Sequence, residues 1–426
     1  MGHNNETIPP PRAASPSWLT KPVLGWALYD VASSTYAAIV PTLFSVFFIG
    51  VVLAGIPHAD ATWGLLTALA LLAAGLAAPL LGAVVDGKGR WIAPLAGLTV
   101  LCCISTLSLS TAGAGNPPII ALLFLLAQSA YFLACAVVDS LVTRIAHPDA
   151  MGRVSAFGWA LGFLGGIGAL LIAIAVLEPE DGPQSLPQLF GITGALYAVV
   201  GIISIAGLRL VPRGPTHRGT PRPVLAAHRQ VMSTLREWRS HRSAFRILVG
   251  FNLINVAGVA LVSFAPIMVV ETLGTSVRGL CWYILLYHLV ALPATLAAGF
   301  MSDRFGTFRT MMVVVVVWVL VVLGVANASG PMGPATVAAL PALVFGGTQA
   351  LSRAFLATRI PFGQAGEFFG FQAVLVRVST AVGPLMVGIL SSMTGSRRIA
   401  LGALIVFVLG GGLILVRALM AEKQPG

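Results

Sequence analysis

The chain has 426 residues, 57% hydrophobic and 9% charged, with 25 Lys and Arg against 14 Asp and Glu and a formal net charge of +11. Soluble domains carry about 25% charged residues, so this composition and a mean hydropathy of +0.92 exclude a set of soluble domains. Apolar runs long enough to cross roughly 30 Å of hydrocarbon recur along the whole chain, which predicts an all-α, multi-pass membrane protein. The basic excess would suggest nucleic acid in a soluble chain. Here the arginines adjoin apolar spans, where retention on the inner face of the membrane explains them and no nucleic-acid partner is expected.

Residues 1–22 are rich in Pro, Ser and Asn and lack the charged region, apolar core and cleavage site of a removable signal peptide, so the first span is expected to act as its own insertion signal. Six spans of about 20 residues follow, near 23–53, 61–85, 91–111, 117–143, 154–177 and 188–208. After a break come six more, near 245–271, 279–301, 310–328, 334–357, 368–392 and 397–420, with a short tail at 421–426. The predicted fold is twelve transmembrane helices in two six-helix pseudo-repeats, 23–208 and 245–420.

The break, 209–244, is a basic linker: from Arg209 to Arg246 there are nine arginines and one acid, Glu237. Val231, Leu235, Trp238 and Phe245 recur at near-helical spacing, the pattern of a helix lying along lipid headgroups. Turns near Asp60, Asn116 and Glu178 carry no Lys or Arg, whereas the alternate turns carry Lys88 and Arg90, Arg144 and Arg153, and Arg304 and Arg309. That asymmetry places both termini in the cytoplasm, with Arg278, Arg397 and Arg398 as exceptions. The expected location is the cytoplasmic membrane of a bacterium, as a monomer among lipids.

The turn after span 2 holds Gly82, Asp86, Gly89 and Arg90, and the turn after span 8 holds Gly299, Asp303, Arg304 and Gly306. The offsets 299 − 82, 303 − 86 and 306 − 89 all equal 217, so one six-span unit is duplicated. An Asp beside an Arg at such a helix end can hold one arrangement of helices and release another. Asp86 and Asp303, with Gly82, Arg90, Gly299 and Arg304, are therefore candidate gating residues.

These paired turns resemble the loop signature of the major facilitator superfamily. Gly25 to Tyr36 (GWALYDVASSTY), Gly152 to Gly166 (GRVSAFGWALGFLGG) and Gly346 to Phe371 (GGTQALSRAFLATRIPFGQAGEFFGF) are similar to segments of the autophagy-related vacuolar effluxer family and its bacterial relatives. The resemblance implies twelve helices, alternating access and secondary transport, with amino-acid efflux as the activity of the vacuolar members. Val31 and Ser33 stand where that family usually has Trp and Asn, and span 7 offers Asn252 and Asn255 in place of an acidic motif.

Ionisable groups deep in a membrane are costly, so they usually face a cavity or a partner. Asp30 lies roughly 12 Å into span 1 at 1.5 Å per residue, sharing a face with Trp26 and Ser33. It either meets solute or a coupling proton, or pairs with a neighbouring helix. Arg377, mid-span in span 11, either forks onto a solute carboxylate or holds a permanent ion pair. Span 4 presents Gln128, Tyr131, Cys135 and Asp139 as one polar stripe, with Asp139, near the cytoplasmic end, a gate or salt-bridge residue in preference to a solute contact. Asn255 in span 7, His288 in span 8 and Trp159 in span 5 complete the candidate solute and coupling set, the packing role being the stronger reading for His288. Arg353 and Glu367 either form an inner gate pair or anchor their helices at the interface. Trp18, Trp63 and Trp91 fall at span ends as interface anchors.

The four cysteines have no zinc or disulfide spacing and read as packing residues, and no phosphate-binding loop or metal-ligand cluster occurs. The expectation is a transporter, not an enzyme, with no cofactor, a small-molecule solute such as an amino acid, and protons as the candidate coupling ion. Export of an amphipathic or lipid-like compound, and a non-transporting membrane scaffold or receptor, are the alternatives.

Overall fold

A computed structural model of the chain describes residues 19–88, 91–111, 115–145, 151–211, 242–357 and 365–422. Each of the predicted spans is occupied by helix. The elements are α1 (Lys21–Phe47), α2 (Ala59–Lys88), α3 (Ile92–Thr111), α4 (Pro117–Ile145), α5 (Met151–Val176) and α6 (Leu186–Leu208), then α7 (Arg242–Ile267), α8 (Val277–Phe305), α9 (Thr307–Ala326), α10 (Gly333–Ala357), α11 (Ala365–Thr394), α12 (Arg397–Gly402) and α13 (Ile405–Glu422). Among the described residues nine helical segments are long and apolar enough to cross a membrane, the last being α12 and α13 together. Leu76, Leu164, Ile202, Leu296, Phe300 and Val406 are each more than 60% exposed, large apolar side chains of the kind that face lipid on membrane-spanning helices. The linker helix expected around Val231 to Trp238 lies outside the described residues.

Two faces are defined by where the helices end. The near face carries the Lys21 start of α1, the Arg144 end of α4 and the Arg304 end of α8. On the far face the duplication predicted from the turns appears in backbone form. α1 ends in a π turn, Phe48–Val52, capped by Leu53 at φ −103°, and α7 ends in a π turn, Met268–Thr272, capped by Leu273 at φ −103°. Each is followed by a glycine at positive φ, Gly55 (74°) and Gly274 (69°), where an L side chain would be strained. These matching ends were not foreseen from the sequence, because hydrophobic period does not distinguish a π turn from an α turn.

α1 packs against α5 and α6, and α3 against α4 and α6; in the second half α8 packs on α10 and α7 on α11 and α13. Across the halves α2 runs along α11, α5 along α8 and α1 along α7, with the α2–α11 seam the most extensive of the three. The first half is tied by a directed chain of hydroxyls. Thr99 donates its one hydroxyl proton to Leu95 O (2.8 Å), so Tyr29 must donate to Thr99 Oγ1 (2.8 Å), and Tyr197 in turn donates to Tyr29 (2.9 Å). Tyr29→Phe should leave Tyr197 without its acceptor and destabilise the fold by about 1–2 kcal/mol, read as a lower thermal unfolding temperature.

Trp63 and Trp91 are not interface anchors: both are only 1% exposed. Trp63 donates to Ser263 O across the halves (3.2 Å) and packs on Phe44 and Phe124, so its indole serves the core. Trp18 lies outside the described residues.

Candidate functional site

A cavity of about 720 Å³ lies between the halves. The first half contributes Trp26, Asp30 and Ser34 from α1, Tyr131 and Asp139 from α4, and Phe163 from α5. The second contributes Val262 and Pro266 from α7, Tyr283, Tyr287 and His288 from α8, and Val337 and Pro341 from α10. Asp30, Tyr131, Asp139 and His288, separated by up to 258 positions in sequence (288 − 30), are thus brought to one space.

Asp30 is half-buried. Among the described residues its carboxylate has no hydrogen-bond or ion-pair partner. Room for it is made by α5: a Cβ on Gly158 would stand 2.6 Å from Asp30 Oδ2 and 2.2 Å from the Trp26 ring. Trp26 is held in place by its own indole N–H, which donates to Val138 O of α4 (2.9 Å). A carboxylate this deep, with no counter-charge among the described residues, is costly unless it faces a hydrated or ligand-filled space.

His288 is oriented by α8 itself. Its Nδ1 lies 2.8 Å from Ile284 O. A carbonyl can only accept, so Nδ1 carries the proton and Nε2 keeps the lone pair in the neutral ring. Nε2 faces α5 at Gly166, and the ring meets Phe163 and Tyr287 edge-on, with centroids 6.1 and 5.7 Å away.

Other predicted residues are placed elsewhere. Gln128 does not line the cavity; it accepts from Tyr36 Oη (3.1 Å), and Tyr36 stacks on Tyr131 with centroids 4.8 Å apart. Gln128 therefore sets the back of the wall that Tyr131 faces. Asn255 accepts from Gln349 Nε2 (2.6 Å) and its neighbour Asn252 accepts from Ser379 Oγ (3.0 Å), so both asparagines join α7 to α10 and α11. Arg304 is exposed, its guanidinium 5.8 Å from the Phe305 ring, and Gly299 has open space around it. The side chains of Trp159, Arg377, Asp86, Asp303, Arg353 and Glu367, the surroundings of Gly82, and Arg90 lie outside the described residues.

Beyond the cavity, at the far face, stands a charge cluster that the sequence reading missed. Arg397 forks onto Asp60, Nη2 to Oδ1 at 2.8 Å and Nε to Oδ2 at 2.9 Å, while its Nη1 lies 2.8 Å from Glu271 Oε2. Asp60 also accepts from Ser391 Oγ, and Ala61 N donates to Ser392 Oγ (3.0 Å). Asp60 opens α2 in the first half; Glu271, Ser391 and Arg397 belong to the second. The arginine that broke the basic-face pattern is thus held by two carboxylates. The signal was present as two acids and one arginine at span ends on the same face, but which span ends meet is not written in hydropathy.

Comparison with known proteins places this geometry. Residues 59–424 match the family described as "Vacuole effluxer Atg22 like". The chain is 27% identical over 417 residues to the "Uncharacterized MFS-type transporter YxiO" of Bacillus subtilis (strain 168), covering 95% of this chain and 96% of that protein. Among solved structures it resembles the POT family transporter PepTSo (14% identity, TM-score 0.73, 96% of this chain and 99% of that one). It also resembles a bacterial homologue of the human lysosomal transporter Spinster (16% identity, TM-score 0.68, 97% of this chain and 100% of that one). An all-α chain with a cavity between paired halves, matched over most of its length, belongs to the vacuole effluxer Atg22-like family of major facilitator transporters.

Proposed function

We propose that this protein is a secondary active transporter that exports a small polar organic solute, of the amino-acid class, by alternating access at the central cavity. The observation that carries this is a cavity lined by both halves, with the Asp60–Arg397 ion pair joining those same halves at the far face. In this reading the near face is cytoplasmic, the units 23–208 and 245–420 rock about the cavity, and 209–244 joins them on the cytoplasmic side. The proposed transport unit is the monomer. The family description names effluxers, which supports the outward direction. Asp30 and His288 are the candidate carriers of a coupling proton, since each is ionisable and faces the cavity from a different half.

Asp60 with Arg397 is the lock on the far side. Opening that face must break the two bonds of the Arg397 fork and the contacts from Ser391 and Ser392. The seam is close enough for backbone to matter: a Cβ on Gly64 would stand 2.4 Å from Pro384 O, and one on Gly388 2.4 Å from Asp60 O. Proteoliposomes loaded with radiolabelled amino acids should release them saturably. Release should stop when Asp60→Cys and Arg397→Cys are joined by a short bifunctional thiol reagent, and return when a cleavable link is reduced. Undiminished release through the joined protein would exclude alternating access at this face.

A further inference from the structure

The cavity is crossed by prolines in a way that changes its chemistry. Pro266 lies inside α7 and Pro341 inside α10, and both line the cavity. A proline has no N–H, so the carbonyl four residues earlier loses its helical donor. Those carbonyls belong to Val262 and Val337, and both residues also line the cavity. Pro41 in α1 does the same to Ala37, another lining residue. Backbone freed in this way at membrane depth is tolerated where it lines a water-filled or occupied space. Three helices therefore each carry, at a residue that lines the space Asp30 faces, a carbonyl without its α-helical donor, and Trp26, Tyr131 and Tyr287 border the same space.

Acceptors, a carboxylate and ring faces together fit one kind of ligand group. We propose that the solute is recognised by a primary ammonium: its charge is met by Asp30 and the aromatic faces, and its N–H donors by the carbonyls freed by Pro266 and Pro341. Among the described lining residues there is no Lys or Arg to oppose a carboxylate, whereas Asp30 stands ready to oppose an ammonium, so the amine is the end of the solute that these residues favour. This rests on the cavity being the solute site, but its test reads binding and needs no transport.

Thermal stabilisation of the purified full chain separates the parts. Tyramine carries a primary ammonium, its N-acetyl derivative loses the charge, 3-(4-hydroxyphenyl)propionate replaces amine by acid, and its N,N,N-trimethyl derivative keeps the charge without donors. Tyramine should stabilise most, the trimethyl compound about tenfold more weakly, as loss of hydrogen bonds to a charged group implies, and the other two not at all. Pro266→Ala returns an N–H to Val262 O and should weaken tyramine about tenfold while leaving the trimethyl compound unchanged; Pro341→Ala repeats the test if the first variant is poorly folded. Equal binding of tyramine and its trimethyl form, or tyramine affinity untouched by both proline variants, would overturn the inference. So would stabilisation by the acid, or by sodium over choline with the prolines governing it, since the carbonyls would then hold an ion. If no solute of any class stabilises the protein, the cavity is not a solute site and the transport reading falls with it.

Discussion

Asp30→Asn is expected to reduce solute release from proteoliposomes at least about 30-fold, the scale of removing one partner from a desolvated, hydrogen-bonded charge pair. The side chain keeps its shape, so Gly158 and Trp26 still fit around it and the unfolding temperature should stay near that of the native chain. Asp30→Glu should recover little, because the longer carboxylate is driven towards α5, where Gly158 already leaves less than one methyl of clearance. Normal release by Asp30→Asn would remove this carboxylate from the solute site. A large fall in unfolding temperature would instead make it a packing residue.

Two acids that touch the same arginine should have unlike effects on the far face. Asp60 lies across the seam from Arg397, whereas Glu271 lies in the same half, so only the first pair must break on opening. When Asp60 withdraws, Glu271 keeps a counter-charge on a guanidinium whose side chain is only 17% exposed. Breaking a part-buried pair falls between the small worth of surface pairs and the several kcal/mol of buried ones, so Asp60→Asn should raise the far-open fraction about tenfold. Glu271→Gln should leave that fraction at or below the native value, since Arg397 then depends on Asp60 alone. Spin labels at Ile56 and Met332, both exposed on the far face in different halves, report the spacing by pulsed dipolar distance measurement. Equal opening by both substitutions would contradict the division of roles, and Arg397→Gln checks Asp60→Asn from the other side.

Much of the architecture was legible because span length and loop charge are one-dimensional signals. A run of about 20 apolar residues needs no knowledge of its neighbours, and the repeated 217-residue offset shows a duplication before any helix is placed. The site was only partly legible. Depth and face pointed to Asp30 and Tyr131, and both line one cavity; Asp139, read as a gate, and His288, read first as a packing residue, line it too. The same periodicity raised Gln128 and Asn255, whose amides are taken by Tyr36 and Gln349, because a polar stripe on a helix marks a packed face as readily as a wet one. The Asp60, Glu271 and Arg397 cluster joins positions 337 apart (397 − 60). Its logic depends on which helix ends meet across the far face, which no local pattern encodes.

The proposed solute site, beside Asp30 in the cavity between the halves, should be reachable from the near face and closed on the far side. Ser34, one turn from Asp30, lines that cavity and is half-buried. With the lining Cys135 replaced by serine to remove its thiol, Ser34→Cys can be treated with a membrane-impermeant maleimide in vesicles of either orientation. Labelling is expected from the near face, with little from the far face and protection by saturating tyramine. A thiol at this position that stays unlabelled from both faces, or labels equally with and without every solute tested, would contradict it.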